Sequence, residues 1–347
     1  MLCYSKSRDL TREPILDRYN DKKRLNCRVS DMSLAIEVQQ LTKRYETITA
    51  LDGISFEVRT GETMGFLGPN GAGKTSTLRI LTGLLAPTSG SVRINGLDVQ
   101  SRSLEIRRQI GYLPENVSLY PELRVQEYLS YRAKIKGVPR SQRRTRIAEV
   151  MDRTATAEVR RQLIGRLSRG YRQRVALADC LIGQPSILIL DEPTVGLDPH
   201  QIRQTRELIR SLGQTTTILL STHILPEVEI TASRITIINK GRIVAVDTPE
   251  NLRRRLTGVQ LVQVELRGDE HAVEEALKQL DGVTRVSRHS STDGFTAFEV
   301  EVKTGTDVRE KIFLLAIERS WSLRQLTKAQ ASLEDVFIHL TTQEQES

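Results

Sequence analysis

Apolar and polar positions first fall into a regular order at Leu34, Ile36 and Val38, which alternate with their neighbours as a half-buried strand does. A short apolar stretch ending at Leu67 reads as a second strand, and "GKTSTLRILT" after it takes a helical pattern. In "SILILDEP", residues 186–193, the unbroken run from Ile187 suits a strand buried on both faces of a parallel sheet. Ahead of it, "LSRGY" at 167–171 opens what reads as a helix that runs toward this strand with no apparent loop. The stretch from about 117 to 165 reads as helices inserted into the alternating strand and helix pattern, which predicts an α/β core.

Beyond residue 256 the pattern changes. Val262, Val264 and Leu266 alternate with polar residues, then Val273, Ala276, Leu277 and Leu280 take helical spacing. Val283 and Val286 begin a strand, "SSTDG" makes a turn, and Phe298, Val300 and Val302 alternate again. A helix over about 307–319 and a strand over about 321–326 complete a split βαβ order, which predicts a small α+β ferredoxin-like domain. In the closing "SLEDVFIHLTTQ", Ser332 and Asp335 resemble a helix cap, and Leu333, Val336, Phe337 and Leu340 make an apolar stripe.

At 347 residues the chain exceeds the usual single-domain size, so a large and a smaller domain are expected. No run approaches the ~18 apolar residues that span a bilayer. Cys3, Cys27 and Cys180 are odd in number and lack metal-ligand spacing, which argues against a disulfide framework or a zinc site and fits a reducing cytoplasm. Lys and Arg total 51 against 43 Asp and Glu, a formal charge of +8 that admits nucleic acid, anionic lipid or polyphosphate without choosing among them. The first 31 residues lack a signal core and a sustained period, and read as a mobile extension, with Met32 as an alternative start.

The chemistry enters at residues 68–75, which match G-x-x-x-x-G-K-T between a strand and a helix, the pattern of a phosphate-binding loop. Glycines let the backbone turn its N–H groups toward phosphate, and the helix after the loop adds the positive end of its dipole. The nucleotide-binding set is Gly68, Pro69, Asn70, Gly71, Ala72, Gly73, Lys74, Thr75 and Ser76, with Lys74 for the terminal phosphates and the Thr75 hydroxyl for Mg2+. Asp191, at the carboxyl end of the buried strand, is placed to hold the metal through water. Glu192 is the candidate base for a water attacking the γ-phosphate. Standing alone, the paired acids would equally cap the next helix.

With these residues the chain resembles the ATP-binding subunits of ABC transporters across about 34–250, motif after motif in the family's order. "LSRGY" is similar to the family's Leu-Ser-Gly-Gly-Gln turn, which contacts ATP held on the opposite subunit. The resemblance nominates Ser168 and Gly170, while Arg169 and Tyr171 depart from the pattern and their contacts do not carry over. A capping serine explains the same turn locally. "TVGLDP" resembles the loop linking the two sites of the dimer and nominates Asp198, although an acid before proline is also an ordinary turn former. His223 in "TILLSTHIL" matches the switch histidine, and Tyr45 in "LTKRYE" the aromatic that stacks on adenine. Glu115 in "IGYLPENV" stands where many members carry a metal-touching glutamine, and a carboxylate there alters the charge of the site.

The resemblance implies an ABC ATPase of P-loop NTPase fold over 34–255, a helical lobe over about 117–165 that docks on a membrane partner, and an accessory domain over 256–347. The C-terminal ending resembles ATPase subunits of ABC-2-type exporters. Such a subunit is an ATP hydrolase using ATP and Mg2+, paired as a homodimer or heterodimer on an integral membrane permease at the inner face of the cell membrane, with no nucleic acid expected. The alternative is a soluble ABC ATPase acting on nucleic acid or ribosomes, which the charge would suit, but such ribosomal proteins usually carry two cassettes and this chain has one phosphate loop. Arg140, Arg143, Arg144 and Arg146 read either as a solvated helix face or as a contact to lipid or partner.

Overall fold

The computed structural model describes residues 33–256, 259–303 and 306–329. The N-terminal extension to residue 32, the alternative start at Met32, Cys3 and Cys27, and the helix expected around 332–340 lie outside the described residues. The chain opens with strands β1 (Leu34–Tyr45), β2 (Ile48–Arg59) and β3 (Thr63–Leu67), then helix α1 (Lys74–Leu81), strands β4 (Ser89–Ile94) and β5 (Leu97–Asp98), helix α2 (Ser103–Gln109) and strand β6 (Ile110–Leu113). Helices α3 (Val125–Ile135), α4 (Arg140–Arg153) and α5 (Arg169–Ile182) come next, then β7 (Ile187–Asp191), α6 (Pro199–Gly213), β8 (Thr217–Thr222), α7 (Leu225–Thr231), β9 (Arg234–Asn239), β10 (Arg242–Asp247) and α8 (Pro249–Leu256).

The central sheet has the order β10-β9-β3-β8-β7-β6 and is parallel except for the β9–β10 pair. Every residue of β7 and β8 is buried, as their unbroken apolar runs require of strands covered on both faces. Register sets Leu67 beside Thr222 and Asp191 beside Ser221, so the loops leaving β3, β7 and β8 emerge along one sheet edge. That edge, at the carboxyl ends of the strands, is where open α/β sheets bind ligands.

A second sheet, β2-β1-β4-β5, is antiparallel. The sequence pattern marked only its first strand. In β2 the buried residues Leu51, Ile54, Phe56 and Val58 do alternate, but Gly53 and polar neighbours interrupt the pattern. Helices α3 and α4 pack with α5 around Leu129, Val150 and Leu177, forming the helical insertion expected near 117–165. Two points differ from expectation. Helix α5 ends at Ile182, and a short link through Gly183 and Pro185 precedes β7. Of the four arginines, Arg140 and Arg144 are exposed, whereas Arg143 donates to the Val138 carbonyl (2.8 Å) and Arg146 pairs with Glu149 (3.6 Å), so only part of the run is a solvated face.

The remaining described chain comprises β11 (Val259–Arg267), α9 (Glu270–Lys278), β12 (Val283–Thr292), β13 (Phe295–Lys303), α10 (Arg309–Glu318) and β14 (Ser322–Ala329). Its sheet order β12-β13-β11-β14, with antiparallel neighbours throughout, is the split βαβ arrangement read from the sequence. Val264, Leu277, Phe298, Val300 and Ile312 form its own buried core.

Candidate nucleotide site

The loop leaving β3 is shaped by two glycines. A Cβ at Gly68 would lie 2.4 Å from the Ile238 carbonyl oxygen, so the loop can pack on β9 only where a side chain is missing. Gly73 is left-handed (φ 106°), and a Cβ there would meet the Ala50 carbonyl oxygen at 2.6 Å. Gly73 is the N-cap of α1 and offers no capping side chain, so the positive end of the helix faces the loop without a built-in anion.

Lys74, the first residue of α1, is buried. Its ammonium donates to the carbonyls of Gly68 (2.7 Å) and Pro69 (3.2 Å) and lies 3.3 Å from Glu192 Oε1. Glu192 adopts a left-handed backbone (φ 48°), a conformation costing a non-glycine residue ~1–2 kcal/mol. Its N–H donates to the Ser221 carbonyl at 3.0 Å, which fixes the turn after β7 and swings the carboxylate into the cleft. There both carboxylate oxygens lie 2.9 Å from His223 Nδ1. Two elements that are 31 residues apart, the ends of β7 and β8, thereby bring Glu192 and His223 into contact.

Asp191 is fully buried. Its Oδ1 accepts from the Ser221 hydroxyl (3.0 Å), and its Oδ2 makes no hydrogen bond. Burial raises the carboxyl above its usual range, against the opposing pull of the Ser221 and Thr75 hydroxyls. A buried carboxylate oxygen without a partner is costly in isolation and is what a cation shell would satisfy. The donor set of oxygens at Thr75, Glu115 and Asp191 is of the hard type that Mg2+ takes.

Asn70, Lys74, Thr75, Glu115, Glu192 and His223 line one cleft with a volume of about 410 Å³, within the range of small-molecule sites. Glu115 is exposed in the loop after β6 and lines the cleft together with Glu192. Tyr45 stands at the rim: its hydroxyl is 3.5 Å from Ser76 Oγ and its ring is 41% exposed, with the Lys43 ammonium 5.0 Å from the centroid.

Ser168, Gly170 and Asp198 do not line this cleft. Ser168 Oγ accepts from Tyr171 N–H (3.3 Å) and caps α5, while Asp198 Oδ1 accepts from Gln201 N–H (2.9 Å) and caps α6 behind Pro199. The two caps are neighbours: a Cβ at Gly170 would lie 2.6 Å from Gln201, and one at Gly196 would lie 2.4 Å from the Arg169 guanidinium. The local capping roles are therefore real, and the expected nucleotide residues form a second cluster on the same chain.

Two site residues carry no signal in the sequence. Ala50 lines the cleft, and Ser221 reaches Asp191 only because β7 and β8 are register neighbours. The order "STH" before α7 is the one local hint, since residues at the end of a buried parallel strand face the ligand edge.

Comparison with known proteins agrees with this geometry. The ABC transporter family matches residues 51–195. The linearmycin resistance ATP-binding protein LnrL of Bacillus subtilis is 30% identical over 311 residues, covering 88% of this chain and 98% of its own length. The bacitracin transport ATP-binding protein BcrA of Bacillus licheniformis is 34% identical over 321 residues, covering 89% and 98%. Among solved structures, a dimeric post-hydrolysis state of an ATP-binding cassette bound to ADP and Pi superposes with a TM-score of 0.57 at 26% identity, over 61% of this chain and 98% of that one. The chain belongs to the ABC transporter family, as an ATP-binding, ATP-hydrolysing subunit of the ABC-2-type exporter class.

Proposed function

We propose that two ATPase subunits close on two ATP molecules and so drive a separate ABC-2-type permease, to which the chain attaches at the inner face of the membrane. The observation that carries this reading is the split of the expected nucleotide residues into two clusters. Lys74, Glu192 and His223 share one cleft, while Ser168, Gly170 and Asp198 stand together elsewhere on the chain, so a complete site takes the second cluster from another subunit. The matched cassette structure is a dimer with ADP and Pi, which supports the same arrangement. LnrL and BcrA are named for linearmycin resistance and bacitracin transport, which supports export. A sheet with its own core follows α8, which supports dividing the chain at about 255/256 with the last part as an accessory domain.

In this reading the N-terminus of α1 and Lys74 bind the phosphates, and Tyr45 stacks on the base. Thr75, Glu115 and Asp191 would hold Mg2+, which when bound supplies charge neutralisation at the phosphate oxygens. Glu192 accepts the proton of the attacking water as the water oxygen bonds to the γ-phosphorus; the bond from phosphorus to the β–γ bridging oxygen breaks, and ADP leaves with that electron pair. His223, bonded to Glu192, fixes the direction of the carboxylate.

The test is to slow hydrolysis without removing ATP. Glu192→Gln keeps the shape and loses the base, so light scattering should show a stable dimer with ATP and a monomer or weak dimer with ADP. Adding Ser168→Arg should abolish the ATP-dependent dimer. A double variant that dimerises as well as the single one would refute the shared site.

A further inference from the structure

A buried carboxylate that the reaction does not use joins the two loops flanking the Glu192–His223 pair. Glu227, on α7, has a side chain only 1% exposed. Its Oε1 accepts from the Thr194 hydroxyl, and its Oε2 accepts from the Thr222 hydroxyl at 2.8 Å. Thr194 lies two residues after Glu192 in the loop that leads to Asp198, and Thr222 immediately precedes His223. Thr222 Oγ1 in turn accepts from the N–H of Ile224 at 3.0 Å, so the hydroxyl that Glu227 holds also fixes the backbone on the far side of His223. Arg206 of α6 completes the cluster: its Nη2 is 3.7 Å from Glu227 Oε1, and its buried Nε has no hydrogen-bond partner.

This arrangement exceeds what packing α7 requires. A helix of this kind can be anchored by apolar contacts, and Leu225 and Val228 supply them. Burying a carboxylate there is costly unless each oxygen is satisfied, and both are satisfied by hydroxyls from the two catalytic loops. The contact to α6, whose N-cap is Asp198, extends the cluster to the element that begins at the proposed dimer face.

We propose that Glu227 is a positioning residue that couples the 194–198 loop to His223, so that seating a partner subunit on that loop aligns the Glu192–His223 pair for hydrolysis. The inference rests on the two-subunit reading above. Docking acts on the loop, the Thr194 hydroxyl transmits its position to Glu227, and Glu227 sets Thr222 and with it the histidine. Its consequence is that dimer closure and turnover are separable at this carboxylate.

The experiment compares Thr194→Val, which removes the hydroxyl and keeps the shape, with Thr194→Ser, which keeps the hydroxyl and removes the methyl. In Thr194→Val, kcat for ATP should fall about tenfold or more, the size expected when reacting groups lose alignment. KM should stay within about twofold, since the phosphate contacts are intact. Thr194→Ser should recover most of the rate. Glu227→Gln should reproduce the loss, and the Thr194→Val/Glu227→Gln double variant should be no slower than the worse single one, because both break one linkage. Combined with Glu192→Gln, Thr194→Val should still give the ATP-dependent dimer. Near-normal kcat in Thr194→Val, losses that multiply in the double variant, or an effect of Thr194→Ser larger than that of Thr194→Val would overturn the coupling. Should Glu227→Gln not fold, the valine and serine pair decides alone. Absence of the ATP-dependent dimer in Glu192→Gln would instead remove the two-subunit reading.

Discussion

The ammonium of Lys74 lies 3.3 Å from Glu192 Oε1, with both side chains buried, so the cation of the phosphate loop and the carboxylate at the end of β7 form one ion pair inside the cleft. Lys74 thus has a structural role beside the phosphate contact proposed for it. Lys74→Ala removes the charge for the terminal phosphates and also leaves Glu192 with His223 alone. ATPase activity should fall at least ~100-fold, the scale of losing one preorganised charge at a reacting phosphate. The urea midpoint should also fall, by a stability loss of about 1–3 kcal/mol for a buried group stripped of its partner. Activity near that of the unsubstituted protein would remove Lys74 from the site; unchanged stability would show that the pair contributes nothing to the fold.

Asp191 gives the opposite expectation for stability. Its carboxyl is raised by burial, with Ser221 opposing, so its folded value lies above the unfolded one. Such a group opposes folding as pH rises above the unfolded value; the cost is complete above the folded value and is relieved as pH falls back toward the unfolded one. Asp191→Asn removes the titrating group and with it that cost. In buffer with EDTA its urea midpoint should equal or exceed that of the unsubstituted protein, while Mg2+-dependent ATP hydrolysis is lost. A marked drop in the EDTA midpoint would show that the carboxylate stabilises the fold by itself.

The helical insertion is tied to α5 by charge as well as by packing. Asp179 accepts from Arg132 at 2.9 Å and from Lys136 at 3.1 Å, which bolts α5 to α3. Asp179→Ala leaves two cations facing one another without their anion. The cost should be about 2–3 kcal/mol, below that of a fully buried pair because both cations are partly exposed. Denaturant titration of the intact chain measures it, and a change under about 0.5 kcal/mol, the scale of an ordinary surface substitution, would contradict this role.

Cys180 provides a check on the packing of α5. Its thiol is buried, donates to the Tyr112 carbonyl at 3.2 Å, and is pushed up to about 12 by burial. At pH 8 roughly one such thiol in ten thousand is ionised, so iodoacetamide should leave it unmodified in the native chain and label it only in denaturant. Peptide mass spectrometry reads this out directly, and rapid labelling without denaturant would mean that α5 is not packed against β6 as described.

Features contiguous along the chain are legible from the amino-acid order alone. Residues 68–75 carry their chemistry in their own spacing, because a phosphate loop is built from backbone N–H groups and the helix directly after them. The buried strand before Asp191 announced itself by an unbroken apolar run, and the tail by period-two and helical spacing that the split βαβ sheet reproduces. Ser168 is legible as a cap for the same reason, since a cap bonds to a backbone N–H three residues on, whereas Asp198 reads only as a turn former and its cap on α6 is a finding of the structure. Which of these residues share a cleft follows from how the strands assemble. The contacts of Glu192 with Lys74 and His223, of Asp191 with Ser221, and of Glu227 with Thr194 and Thr222 join separate strands and loops, and their partners are chosen by sheet order and register. Hydrophobic pattern specifies which face of a strand is buried; it does not specify which strand lies beside it, because adjacent buried strands present equivalent apolar surfaces until the whole sheet is assembled.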